Sequence, residues 1–150
     1  MKLKIPPVVV FIFSLGMLFG ISYLTKDWNF TFQYRVTLSR IFLFAGALSG
    51  ILGVLAFRAK RTTVDPTKPE KASSIVTGGI YRYTRNPMYL GMALALVGGV
   101  LRTGNPFCIL SVIFLVWYLT IFQIKPEEEA LSKLFGTPYK DYQKRVRRWI

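Results

Sequence analysis

Four stretches of the chain carry no charged residue. Ile5 to Leu24 runs for twenty residues, Ile41 to Phe57 for seventeen and Pro106 to Ile124 for nineteen, each close to the roughly 20 helical residues that cross the hydrocarbon core of a bilayer. Each predicts a transmembrane helix. Met88 to Leu101 is also uncharged, but at about 1.5 Å per residue it covers only about 21 Å of a core roughly 30 Å thick. Either this third stretch recruits residues from Tyr81 onward, or it is a helix half-buried against the others. The predicted fold is an all-α integral membrane protein with four transmembrane helices and a C-terminal cytoplasmic helical extension.

Positive charge tests that count, because cytoplasmic loops are enriched in Lys and Arg. Four spans with both termini inside place Lys2 and Lys4, seven cations from Arg58 to Arg85 and seven from Lys125 to Arg148 on one side. Only Lys26, Arg35, Arg40 and Arg102 remain outside. Omitting the short third span would move the last seven across. The predicted location is therefore integral and polytopic, with N- and C-termini cytoplasmic. Lys2 and Lys4 before the first apolar stretch resemble the start of a signal peptide, but no small-residue cleavage site follows, so the stretch is read as a retained span.

The net charge of +13 beside 52% hydrophobic residues is thus explained by segregation. It does not call for nucleic acid as a partner. Histidine is absent and Cys108 is the single cysteine, which excludes a His general base, a His-ligated metal and a disulfide framework. No metal is expected.

The chain divides near residue 60, within one membrane domain overall. Residues 1–60 read as a two-span scaffold, with Trp28, Phe30, Phe32 and Tyr34 in its outer loop as interfacial aromatics. Gly46, Gly50 and Gly53 give its second helix a smooth face for close packing. Residues 61–150 form a second unit: a polar loop with Pro66 and Pro69, a hairpin of the third and fourth spans, and tail helices. The fourth helix is expected to continue past Ile124 to a stop at Gly136, with Thr137 as N-cap and Pro138 as first residue of a last helix. In that helix Tyr139, Tyr142 and Val146 share one face opposite Lys140, Lys144, Arg147 and Arg148. Such a basic amphipathic tail suits an anionic inner leaflet, with substrate recognition as the alternative.

Chemistry concentrates in two blocks. Gly78-Gly79-Ile80-Tyr81 continues to Arg85-Asn86-Pro87-Met88-Tyr89, and Glu127-Glu128 continues to Phe135-Gly136, Tyr139 and Tyr142. The hairpin brings both to the cytoplasmic ends of the spans. Arg85 suits an anion, Tyr81, Tyr83 and Tyr89 suit stacking or hydrogen bonding, and the glutamate pair with aromatic faces suits a cation. Each feature has a plain alternative: a lipid-phosphate contact, an interfacial tyrosine belt, solvated glutamates at the start of a helical extension.

These paired blocks carry a resemblance. From about Ser73 to Ile150 the chain resembles the catalytic core of the isoprenylcysteine carboxyl methyltransferase family, and more distantly the phospholipid N-methyltransferases. The family's first block normally reads Gly-x-Tyr-x-x-x-Arg-His-Pro-x-Tyr. The resemblance implies a membrane enzyme transferring a methyl group from S-adenosyl-L-methionine to a lipophilic acceptor, a prenylated cysteine or a lipid, with its active site at the cytoplasmic face. It implies cofactor contacts at Ser73, Ser74, Ile75, Val76, Tyr81, Asn86, Pro87, Met88, Tyr89 and Glu127. Substrate contacts would involve Gln123 and Lys125, and Arg85 and Glu128 would act in catalysis, Arg85 steering an anionic head group and Glu128 serving as the base if the acceptor is an amine.

Two positions depart from the family: Asn86 replaces its histidine, and Gln123 replaces an arginine that precedes the cofactor-binding glutamate by four residues, with Lys125 as a nearby stand-in. The competing readings are a phospholipid N-methyltransferase, a sterol-type reductase needing more chain than is present, and a non-catalytic membrane scaffold or lipid-binding protein.

Overall fold

All four apolar stretches are helical in the computed structural model, which describes residues 5–60 and 74–150. The helices are α1 (Pro7–Leu24), α2 (Arg35–Ala59), α3 (Pro87–Thr103), α4 (Ile109–Tyr118), α5 (Lys125–Phe135) and α6 (Thr137–Arg145). No strand occurs among the described residues. α4 is entered through a 3-10 turn at Pro106–Cys108 and passes into α5 through a π-helical turn, Leu119–Ile124. Pro106 to Phe135 is therefore one continuous helical run of 30 residues, and with α1 and α2 it is long and apolar enough to cross a membrane.

α3 has 17 residues, more than the uncharged stretch alone. Tyr81 does not extend it, because Tyr81 sits in a separate 3-10 turn, Gly79–Arg82. α3 is instead the half-buried alternative, packed against each of the other three long helices and above all against α2. Its buried residues, Pro87, Tyr89, Gly91, Ala93, Leu96 and Gly98, run its whole length. By contrast α1 and α2 leave Ile12, Phe13, Phe19, Phe44 and Ile51 more than half exposed, as a face against lipid tails requires.

Glycines set the α2–α3 distance. A Cβ on Gly46 would lie 2.7 Å from the Gly91 carbonyl oxygen, and one on Gly91 would lie 2.6 Å from that of Gly46. Gly53 lies against Pro87 and Met88, and Gly98 against Ser39 and Leu43, so the pair is antiparallel. The smooth face expected on α2 is real, although a Cβ on Gly50 would meet nothing. Two hydroxyls cross the interface: Ser39 donates to the Gly98 carbonyl and Ser49 to the Pro87 carbonyl, both at 2.7 Å. The apolar core lies on the other side of α3, where Tyr89, Ala93 and Leu96 meet Val10 and Leu18 of α1 and Val112, Leu115 and Leu119 of the fourth run. Cys108 is buried there, its thiol donating to the Leu18 carbonyl.

α3 and α4 are joined by the short turn at Gly104 and Asn105, where Gly104 takes φ +70°, a conformation that glycine adopts without penalty. Asn105 is fully buried and donates to Thr25 and Asn29, while its side-chain oxygen caps Phe107. At the other end Gly136 (φ +62°) stops α5. Thr137 is the first residue of α6 rather than its cap, and Gly136 occupies the cap position.

Candidate active site

The two chemistry-bearing blocks converge at the end of the bundle where α3 begins and α4 runs into α5. A segment from Ser74 leads into the 3-10 turn Gly79–Arg82, which buries Tyr81. Its ring stands edge-on to Phe57 at 5.5 Å between centroids, and its carbonyl accepts a 2.7 Å hydrogen bond from the Tyr142 hydroxyl. Tyr139, Tyr142 and Val146, at three- and four-residue spacing, pack on Val76 and Tyr81, with Ile75, Ile80, Leu131 and Phe135 around them. This corrects the expected leaflet contact: the apolar face of the tail is used inside the protein. Burial, the largest cause in each case, raises the phenols of Tyr81, Tyr139 and Tyr142 well above the usual tyrosine value, with Glu127 adding to Tyr81 and Glu128 to Tyr139. All three stay protonated near neutrality, as donors rather than bases.

Pro87 opens α3 in the first turn, where a missing N–H costs nothing. Two residues on, the buried Tyr89 donates from its hydroxyl to Glu127 Oε2 at 3.1 Å, and Gln123 is also hydrogen-bonded to that hydroxyl. Gln123 is 2% exposed and lies in the π-helical turn. π-turns inside helices are frequent at functional sites. Glu127 itself is half-buried.

Glu128 has a different role. Arg148 grips it with two parallel bonds, Nε to Oε1 at 3.0 Å and Nη2 to Oε2 at 2.7 Å, and Arg85 Nη2 reaches Oε1 at 3.1 Å. Glu128 in turn raises the Arg148 pKa, chiefly through the hydrogen bonds. Arg85 is enclosed, its side chain 10% exposed, and its Nε and Nη1 are buried without an acceptor, as is Ser74 Oγ. Glu129, by contrast, is exposed and pairs with Lys133 one turn on, the solvated behaviour that all three glutamates allowed.

The expected site residues thus divide. Tyr81, Arg85, Tyr89, Gln123, Glu127 and Glu128 come together where the 3-10 turn and the start of α3 face the π-helical turn and α5, with Asn86 tied in through the Arg148 carbonyl and Ile75 and Val76 leading into the adjoining turn, whereas Pro87 and Met88 lie against Gly53 of α2. Ser73 lies outside the described residues. Lys125 is exposed, and Tyr83 is 78% exposed. Arg148 was missed as a site residue because nothing in sequence separates it from the neighbouring Lys144, Arg145 and Arg147.

Beside this site lies an open groove of about 780 Å³ with an almost wholly apolar lining. Phe11 of α1, Gly46, Gly50 and Ile51 of α2, and Met88 and Met92 of α3 contribute to it, and Arg58 stands among the lining residues. Met88 is thus shared between the groove and the turn carrying Tyr89. Among the described residues no group of three or more His, Cys, Asp or Glu could hold a metal.

Comparison with known proteins agrees with this arrangement. The sequence profile of the phospholipid methyltransferase family matches residues 34–138. Among curated proteins, the protein-S-isoprenylcysteine O-methyltransferase of Schizosaccharomyces pombe is 29% identical over 118 residues, covering 79% of this chain and 50% of that protein. The Dictyostelium discoideum enzyme of the same name is 38% identical over 72 residues, covering 48% and 30%. An uncharacterised Haemophilus influenzae protein is 40% identical over 63 residues, 42% of this chain and its own entire length. The structure of a eukaryotic intramembrane Ras methyltransferase, an isoprenylcysteine carboxyl methyltransferase, superposes with a TM-score of 0.60 at 26% identity over 95% of this chain and 51% of that one. The chain therefore spans about half or less of the length of these named methyltransferases. Its apolar helices and these likenesses make it an integral membrane protein. With more than two thirds of its length matched by the profile, the chain belongs to the phospholipid methyltransferase family.

Proposed function

We propose that the chain is an S-adenosylmethionine-dependent membrane methyltransferase that esterifies the carboxylate of a lipophilic acceptor such as a prenylated cysteine. The observation that carries this reading is the Tyr89–Glu127 pair, set beside an apolar groove that Met88 shares. The residues present fit the cofactor. Glu127 and the buried Tyr81 and Tyr89 suit its cationic parts, and the unpartnered N–H groups of Arg85 and the Ser74 hydroxyl are donors for an anionic one. When bound, S-adenosylmethionine supplies an electrophilic methyl group open to in-line displacement.

The contribution of the chain is then positional. The π-helical turn and Tyr89 orient Glu127, the groove takes a hydrocarbon tail laterally from the bilayer, and Arg58 on its lining favours an anionic head group. Near-attack placement of this kind supplies much of a methyl transfer. An acceptor that arrives already as a nucleophile is favoured, since the tyrosines hold their protons and Glu128 is paired with two arginines. That condition suits a carboxylate. It disfavours a phospholipid amine, which must first lose a proton. The positive-inside bias of the sequence supports a cytoplasmic position for this end of the bundle.

In lipid vesicles with methyl-labelled cofactor, the purified chain is expected to label a short prenylcysteine with a free carboxylate, giving base-labile methyl ester. Glu127→Gln is expected to abolish both labelling and calorimetric binding of the cofactor. Base-stable label in phospholipid would overturn the ester reading, and unchanged cofactor binding by the variant would overturn the role of Glu127.

A further inference from the structure

Residues 147–149, just past α6, are tied to both halves of the site. The Arg85 backbone N–H donates to the Arg147 carbonyl at 3.1 Å. The Arg148 carbonyl accepts from Asn86 Nδ2 at 2.9 Å and from Thr84 Oγ1 at 3.4 Å. Trp149 Nε1 donates to Thr120 Oγ1 at 3.1 Å, within the π-helical turn that also holds Gln123. At the centre is the Glu128 carboxylate, gripped on both oxygens by Arg148 and on one by Arg85.

We propose that Arg148 is a positioning residue: by clamping Glu128, and through its own carbonyl Asn86, it sets the separation of the two pieces of chain that receive the cofactor. The inference rests on the methyltransferase reading for the identity of that ligand. Covalent adjacency gives the clamp its leverage. Arg85 precedes Asn86, and Glu128 follows Glu127, so each partner of the ion pair is one residue from an expected cofactor contact. Arg85 alone holds the Glu128 carboxylate by a single nitrogen–oxygen contact, which leaves that carboxylate free to swing. The two-point grip of Arg148 removes that rotation, a geometry that a lysine cannot reproduce. Asn86 stands where the family pattern has histidine, and here its amide ties the turn to residue 148. Arg148 is also a third exposed, 32% at the side chain, and lies outside the glycine interface and apolar core that hold the helices together. Its loss therefore leaves the bundle folded.

The test uses the whole chain in lipid nanodiscs as wild type, Arg148→Ala, Arg148→Lys, Glu128→Gln and the Glu128→Gln/Arg148→Ala double variant. Calorimetry with S-adenosylmethionine is expected to show binding weakened about ten- to a hundredfold in Arg148→Ala, with only part recovered in Arg148→Lys. Activity at saturating cofactor is expected to stay within about threefold, so that the loss falls on KM. The double variant is expected to bind no more weakly than Glu128→Gln alone, since Arg148 acts through that carboxylate. In the absence of cofactor, hydrogen exchange in Arg148→Ala is expected to quicken over residues 84–90 and 120–128 while α2 is unchanged.

Wild-type affinity in Arg148→Ala, additive losses in the double variant, or exchange that rises across the whole chain would each overturn the clamp. A wild-type chain that binds no S-adenosylmethionine would instead overturn the methyltransferase reading, and with it the cofactor role of Arg148.

Discussion

The α2–α3 interface and the corner around Glu128 hold the molecule together by opposite means. Between α2 and α3 the backbones touch: Gly46 and Gly91 leave no room for a methyl group, and two serine hydroxyls bond across to carbonyls. Around Glu128 the contacts are long-range and polar, reaching from residue 85 to residue 148 through side chains. Steric contact of the first kind is intolerant, because a packed backbone cannot yield by rotating a side chain. Polar contacts of the second kind are shared among several bonds, so one can be lost while its neighbours persist. The comparison teaches where this protein is rigid by necessity and where it can be adjusted.

Three substitutions test that contrast. Gly91→Val places a branched side chain against the Gly46 carbonyl and Gly50 and is expected to cost about 3 kcal/mol or more, or to prevent folding; unfolding titration in detergent micelles measures it. Tyr142→Phe removes the donor to the Tyr81 carbonyl and is expected to cost about 1–2 kcal/mol. Its effect on exchange is expected to be confined to residues 74–83 and α6. A loss as large as that of Gly91→Val would erase the distinction between the two regions. Gly16→Ala, on α1 where a Cβ meets nothing, is expected to change stability by zero to a gain of about 1 kcal/mol. A clear loss there would show that α1 also packs through its glycines.

The steric region was the more legible in sequence. Uncharged runs locate α1, α2 and the fourth run, and Gly46, Gly50 and Gly53 announce a close-packed face, although not that Gly91 and Gly98 of α3 are what meets it. The charge bias kept the short third helix in the count, and its central position shows why it can be short: neighbours rather than lipid cover it. In the site, the Tyr89–Glu127 partnership follows from the hairpin that joins α3 to the fourth run. The tail did not follow. Tyr139, Tyr142 and Val146 make the same pattern whether the surface opposite is a membrane or residues 75–81, because amphipathicity records a face and not its partner. Arg148 was equally hidden, since a basic run spells out charge while a two-point grip depends on where the backbone turns after α6.

The π-helical turn at Leu119–Ile124 adds one residue to a helix that otherwise advances about 100° at each step. Buried positions along the run read Leu115, Leu119, Gln123, Ile124 and Glu128, with two adjacent residues buried in the turn and Glu128 five residues past the first of them. The turn therefore acts as a phase shift, letting one helix present an apolar stripe along its first half and the Glu128 carboxylate on the same side in its second. Were it to close to ordinary α geometry, the same residues would follow in the same order while Glu128 swung about 100° away from both arginines. Length variation beside this turn is thus more consequential than substitution: a residue deleted between the turn and Glu128 is expected to rotate that carboxylate by about 100°, whereas one deleted within the turn lets the helix close with Glu128 kept in phase.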